Sequence, residues 1–211
     1  MRNISKGVEP KSLELHRCST HANYRNYADK PTLREALVTE QRGLCCYCLS
    51  RIVADREKMK IEHWQSQENF PEYQLDYSNL LGVCLGGEGN PPKFQHCDTR
   101  KGEQDLSLNP AEPAHDVERT IHYLSDGTIQ SPNPVFDREI NEFLNLNTAL
   151  LKANRKAVLD GFLGSKPKQG DWKNSSLAKW LAEWNGDLGD EVLDPHCQVV
   201  IYWLRKRLKQ T

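Results

Sequence analysis

Four cysteines frame the stretch of this chain whose residue types could do chemistry: Cys45 and Cys48 in a C-x-x-C pair, then Cys84 and Cys97. Thiolates at such spacing can close one tetrahedral zinc site. Within the frame stand Glu62, His63, Asn79 and Asp98. Carboxylates are hard ligands for a magnesium-like ion, and a histidine can take a proton from water. One ion and one base suffice to hydrolyse a phosphodiester, because the ion stabilises charge developing on the phosphate and the leaving oxygen. Glu62 and Asp98 are the candidate ligands of that ion, His63 is the candidate base, and Asn79 is suited to hold the imidazole by hydrogen bonding.

Each assignment has a plainer competitor. Twelve residues separate Cys84 from Cys97, a wide gap, and Cys46 or His96 could replace an assigned ligand. His96 also competes with Asp98 for the divalent ion. Buried unpaired thiols need no metal at all. A redox role for the C-x-x-C is poorer, since no βαβ pattern surrounds it. Four protein ligands leave no open position for water, so a zinc held there would be structural. A histidine at a strand end is commonly just exposed or satisfied. It gains meaning here from the acid before it and the frame around it.

The elements that must position these residues are partly legible. Pro31 opens a helix through Arg42, with Gly43 as its terminator. Leu44 to Val53 resembles a zinc-knuckle turn running into a strand. The segment 58–64 alternates as a strand ending at His63, residues 65–75 form a polar loop, and Asn79 to Cys84 make a second short apolar element. A helix is expected from Asp98 past Lys101. Residues 1–30 look like a polar lead-in arm. After Pro110 the character changes. Ser125-Asp-Gly joins two short strands as a hairpin. Helical periodicity follows from Phe136, breaks over 161–170, and resumes through Leu177, Trp180, Leu181 and Trp184, then from Val199 to Leu208. The reading is an α+β chain: a lead-in arm over 1–30, a metal-holding core over 31–110, and a hairpin with a mainly helical extension over 111–211.

Composition bounds the rest. The 211 residues are 37% apolar and 27% charged, as in a folded globular protein. The start is polar, so no signal peptide is expected, and no apolar run reaches the length of a membrane span. Spaced cysteines in a reducing cytoplasm read as metal ligands before disulfides. The net charge of −1 is unusual for a protein that grips nucleic acid alone. Either the basic residues gather on one face, or a partner supplies the grip. Lys93, Arg100 and Lys101 flank the candidate site and suit backbone contacts. The basic residues after Tyr202 suit a helix C-terminus and need no ligand. The tryptophans from Trp172 to Trp203 fit core packing better than a docking surface. His115, His122 and His196 have no evident partners in sequence.

The blocks Cys45-Cys46-Tyr47-Cys48, Ile61-Glu62-His63, Tyr77-Ser78-Asn79-Leu80 and Cys97-Asp98-x-x-Lys101-Gly102 resemble the successive motifs of HNH endonucleases. That resemblance implies a ββα-metal core with His63 as general base, Asn79 as the orienting residue, and Glu62 and Asp98 as ligands of Mg2+ or Mn2+ beside the structural Zn2+. Asp98 departs from the family, where His or Asn is more usual. Over more of the chain, Leu33 through Cys45 and the glycine-rich run after Leu81 are similar to the PtuB subfamily of Septu-type antiphage systems, including those attached to retrons. That similarity implies a nucleic-acid substrate, DNA or a structured RNA such as tRNA. It also implies an ABC- or SMC-like ATPase partner (PtuA) and a retron reverse transcriptase with its nucleic acid. The alternative from a different class is a catalytically silent zinc-ribbon module that binds nucleic acid or protein.

Overall fold

The computed structural model describes residues 1–167, 172–189 and 191–209. Among the described residues the chain is α+β, with two small antiparallel sheets among helices. Helix α1 is Lys11–Arg17 and α2 is Lys30–Glu40. Asp29 caps α2 by accepting from the Thr32 N–H, and Pro31 sits in its first turn, where no intrahelical donor is needed. Strand β1, Met59–His63, pairs with β2, Leu80–Cys84, in a register that sets His63 opposite Leu80 and Met59 opposite Cys84. Helix α3, Cys97–Lys101, packs on β2. Then follow α4 (Val117–Thr120), the strands β3 (His122–Tyr123) and β4 (Ile129–Gln130), α5 (Pro134–Arg138), α6 (Ala149–Gly164), α7 (Asn174–Asn185) and α8 (Gln198–Leu208).

The buried Gln41 amide fastens α2 to the sheet. It donates to the carbonyls of Leu44 and Gly82 and accepts from the Gly82 N–H, at 2.8, 2.7 and 2.6 Å. Gly82 permits that approach: a Cβ there would lie 2.9 Å from Ile52 and 3.1 Å from Met59. One apolar cluster joins the thiols, β2, the β3–β4 hairpin and α5 to the start of α6. A second packs Leu13 and Tyr27 of the first thirty residues against α2 and Leu80. The third gathers α6, α7 and α8 around Phe162, whose ring meets Trp180, Trp184 and Trp203 edge to face. These tryptophans are packing, as their helical spacing suggests.

Several expectations change. The lead-in arm contains α1 and contributes buried side chains, because Leu13, which carries no polar partner, has α2 to pack on. The knuckle does not run into a strand; Leu44 and Arg51 make one isolated bridge. The expected break at Gly161 is absent, since α6 continues to Gly164 with Leu159 and Phe162 buried, and that burial outweighs the weak helix preference of one glycine. Residues 168–170 of the expected break lie outside the described residues. No helix among the described residues is long and apolar enough to cross a membrane.

Candidate metal centre and strand-end histidine

Two turns bring the thiols together. In the first, the Leu49 N–H reaches the Cys45 carbonyl at 3.1 Å and the Ser50 N–H points at Cys48 Sγ at 3.4 Å. In the second, Gly86 adopts φ +58°, and a Cβ there would meet the His96 carbonyl at 2.1 Å. The His96 N–H bonds the Gly86 carbonyl at 2.9 Å, so the wide Cys84–Cys97 gap closes on itself. Cys97 is held at φ 56°, its N–H bonded to the Leu144 carbonyl at 2.9 Å. That carbonyl follows a π-helical turn, Glu139–Phe143, which extends α5.

The Sγ atoms of Cys45, Cys48, Cys84 and Cys97 are all buried and lie within 4.8 Å of one another. Three edges measure 3.9, 3.6 and 3.9 Å. A tetrahedron with metal–sulfur bonds of about 2.3 Å has edges of about 3.8 Å, so this donor set fits zinc. Burial opposes ionisation of Cys45, yet hydrogen bonds from the neighbouring thiols hold it well below the usual thiol range. Burial and the same neighbours push Cys97 well above it. Four buried thiols this close cannot all ionise without a cation among them. Cys46 stands outside the group, its N–H on the Gly82 carbonyl, and His96 Nδ1 lies 3.2 Å from Cys97 Sγ. Among the described residues, this quartet is the group of His, Cys, Asp or Glu donors that converges on one point.

His63 ends β1. Its Nε2 donates to the Gln74 carbonyl at 3.0 Å, which leaves the lone pair on Nδ1. Burial lowers its pKa to about 4, so the ring is neutral at neutral pH. The Tyr24 ring meets it edge-on at 4.4 Å. Asn79 does not reach the imidazole. Its Nδ2 donates to the carbonyls of Gln65 and Tyr73, and its Oδ1 accepts from the Gln65 N–H. It clasps the loop at Tyr73, and the next carbonyl along, that of Gln74, holds the ring.

Glu62 faces other company. Its Oε1 lies 2.9 Å from Lys101 Nζ and accepts from the Tyr47 hydroxyl at 2.8 Å. Burial raises its pKa to about 8, opposed by Lys101 and reinforced by the Asp98 carboxylate. Lys101 also donates to the His63 carbonyl at 3.2 Å. Lys101 is therefore a buried residue of the site and not a surface contact for phosphate. Its place follows from the motif: it stands one helical turn after Asp98, on the same face of α3. Asp98 is part-exposed and lies 3.4 Å from Lys60 Nζ, which bonds Thr99 Oγ1 at 2.8 Å. Gln74, Lys60 and Tyr47 were not legible as site residues, since a backbone carbonyl and two contacts across the fold leave no spacing signature.

A strand pair with a helix packed on it, one strand ending in a buried neutral histidine, and a zinc-competent thiol cluster thus define the site. No family model matches the chain. The chain resembles the retron Ec83 putative HNH endonuclease of Escherichia coli, 34% identical over 124 residues, which cover 50% of this chain and 47% of that relative. It also resembles the Septu protein PtuB of Bacillus thuringiensis, 26% identical over 81 residues, 38% of this chain and 28% of that protein. The matched stretches span at most about half the length of these curated relatives.

Proposed function

We infer that this chain is a metal-dependent HNH endonuclease that hydrolyses phosphodiester bonds of DNA, or of a structured RNA such as tRNA. The observation that carries the reading is His63: a neutral ring at a strand end, fixed by the Gln74 carbonyl so that Nδ1 keeps its lone pair. That nitrogen takes a proton from the attacking water. Asn79 keeps the carbonyl in place by clasping residues 65–73. Asp98 and Glu62 would hold Mg2+ or Mn2+, whose chemistry when bound is to stabilise charge on the phosphate and leaving oxygen. Cys45, Cys48, Cys84 and Cys97 would hold a structural Zn2+ that fixes α3 against the knuckle. On this reading residues 31–110 form the ββα-metal core and 111–211 an extension.

The named relatives support a place in antiphage defence. There the protein would act in the cytoplasm as an effector gated by an ABC- or SMC-like ATPase, with a retron reverse transcriptase as a further partner. The silent zinc module is favoured by one observation, the Lys101 ammonium already paired with Glu62. A cleavage assay separates the two. Wild type and His63→Ala are mixed with plasmid DNA and total tRNA, with magnesium or manganese, before and after adding the cognate ATPase. Cleavage by wild type and none by His63→Ala supports the nuclease. Silence under every condition with zinc bound moves the assignment to the binding module.

A further inference from the structure

A cleft of about 810 Å³ opens between α8 and the segment from Pro113 to Tyr123. None of Glu62, His63, Asn79 or Asp98 lines it. One polar face of α8 forms a wall, with Gln198, Tyr202, Lys206 and Lys209 at near-helical spacing. Opposite stands His122, its ring 5.8 Å from that of Tyr202 at 36°. Tyr123 extends the aromatic surface, 5.6 Å from Tyr202.

The charges are unequally spent. Glu118 is paired with Arg205 at 2.7 Å, and Asp116 with Arg119 at 3.1 Å. No carboxylate among the described residues pairs with Lys206 or Lys209, so the cleft keeps an uncompensated positive end. Gln198, 3% exposed, donates towards Glu118, which leaves its Oε1 facing elsewhere. That oxygen has no donor among the described residues. A buried acceptor without a donor costs free energy unless something supplies one.

We propose that this cleft binds a nucleotide unit, its base against Tyr202 and His122 and its phosphates on Lys206 and Lys209. Aromatic rings beside cations on one groove are the pairing that holds unpaired nucleotides, by stacking and by phosphate neutralisation. The volume suits a small ligand of this size. The unit comes either from a free nucleotide or from the unpaired end of a strand. The proposal does not depend on the nuclease reading, because the site is separate and its readout is binding.

The test uses the full zinc-loaded chain carrying His63→Ala, with anisotropy of a fluorescein-labelled eight-nucleotide strand and fluorescence of a labelled ATP analogue. At least one probe binds. Lys206→Gln with Lys209→Gln weakens it about tenfold or more, and for a strand lowers the salt slope by about 1.4. Tyr202→Leu, which keeps apolar volume, weakens binding by a similar factor, while Tyr202→Phe retains it. Response of the ATP analogue alone assigns a free nucleotide, and response of the strand assigns a strand end. Failure of both probes to bind overturns the proposal, as do variants that leave binding unchanged. Loss of ATPase association with nucleotide binding intact also overturns it, and makes the cleft a protein interface.

Discussion

Lys101 Nζ sits 2.9 Å from Glu62 Oε1, with the two side chains 1% and 3% exposed. An ammonium therefore stands beside the carboxylate that the nuclease reading gives to a divalent ion. Removing one partner of such a buried pair is costly, because the other is left without compensation. Lys101→Ala is expected to lower stability by about 3 kcal/mol, at the low end for such pairs, since burial already leaves Glu62 only partly charged. Glu62→Gln with Lys101→Met is expected to cost less than Lys101→Ala alone. Urea unfolding of the three proteins checks both statements.

Two buried histidines make stability depend on pH. Burial lowers the pKa of His63 and of His196 to about 4, with His196 Nδ1 donating to the Cys48 carbonyl. The unfolded chain then binds more protons than the folded one between about 4 and 6.5, so stability rises with pH across that window. Each histidine is expected to remove about 1.4 kcal/mol between pH 7.5 and 5.5. His63→Gln should flatten the profile by one such share, measured by urea unfolding with zinc content followed in parallel.

Cys48→Ala and Cys97→Ala are expected to lose zinc and fold stability together, because a structural zinc site contributes folding free energy. Cys46→Ala should keep its zinc, since that thiol lies outside the quartet. Metal analysis by mass spectrometry on the purified variants distinguishes these outcomes, and a stable, zinc-free, wild-type-like Cys48→Ala would refute the structural role.

Gly86→Ala tests how the second pair is closed. A methyl group there would strike the His96 carbonyl at 2.1 Å, in a conformation with φ +58°. The expected result is weaker zinc retention against a chelator, with Gly89→Ala, where nothing lies within 4 Å, as the milder control.

Asn79→Ala should release the loop without touching the thiols. Its three hydrogen bonds to Gln65 and Tyr73 are lost, for a stability cost of about 1–3 kcal/mol. Cleavage is expected to fall by about tenfold to a hundredfold with zinc content unchanged. Activity at the wild-type rate would remove Asn79 from the positioning of His63.

Much of this protein is legible along the chain where the deciding physics is local. The C-x-x-C turn, the alternation ending at His63, the helix opened by Pro31 and the Asp-Gly reversal at Gly127 each depend on a few adjacent residues. The sequence by itself therefore determined the C-x-x-C pair, the strand-end histidine and the helix, strands and hairpin around them, and left Cys46 and His96 beside Cys84 and Cys97 as candidates; the structure gathers Cys45, Cys48, Cys84 and Cys97. Only the tertiary structure decided what those residues touch. Packing of α3 on β2 turns its last residue, Lys101, from a flanking cation into the partner of Glu62. The Gln74 carbonyl, eleven residues from His63, sets its tautomer. Residues from Pro113 to Tyr123 meet α8 to make a cleft that neither segment forms alone. The reason is physical: side-chain type and period are written along the chain, whereas burial, and the charge and hydrogen-bond pairing it enforces, exist only once distant segments exclude water between them.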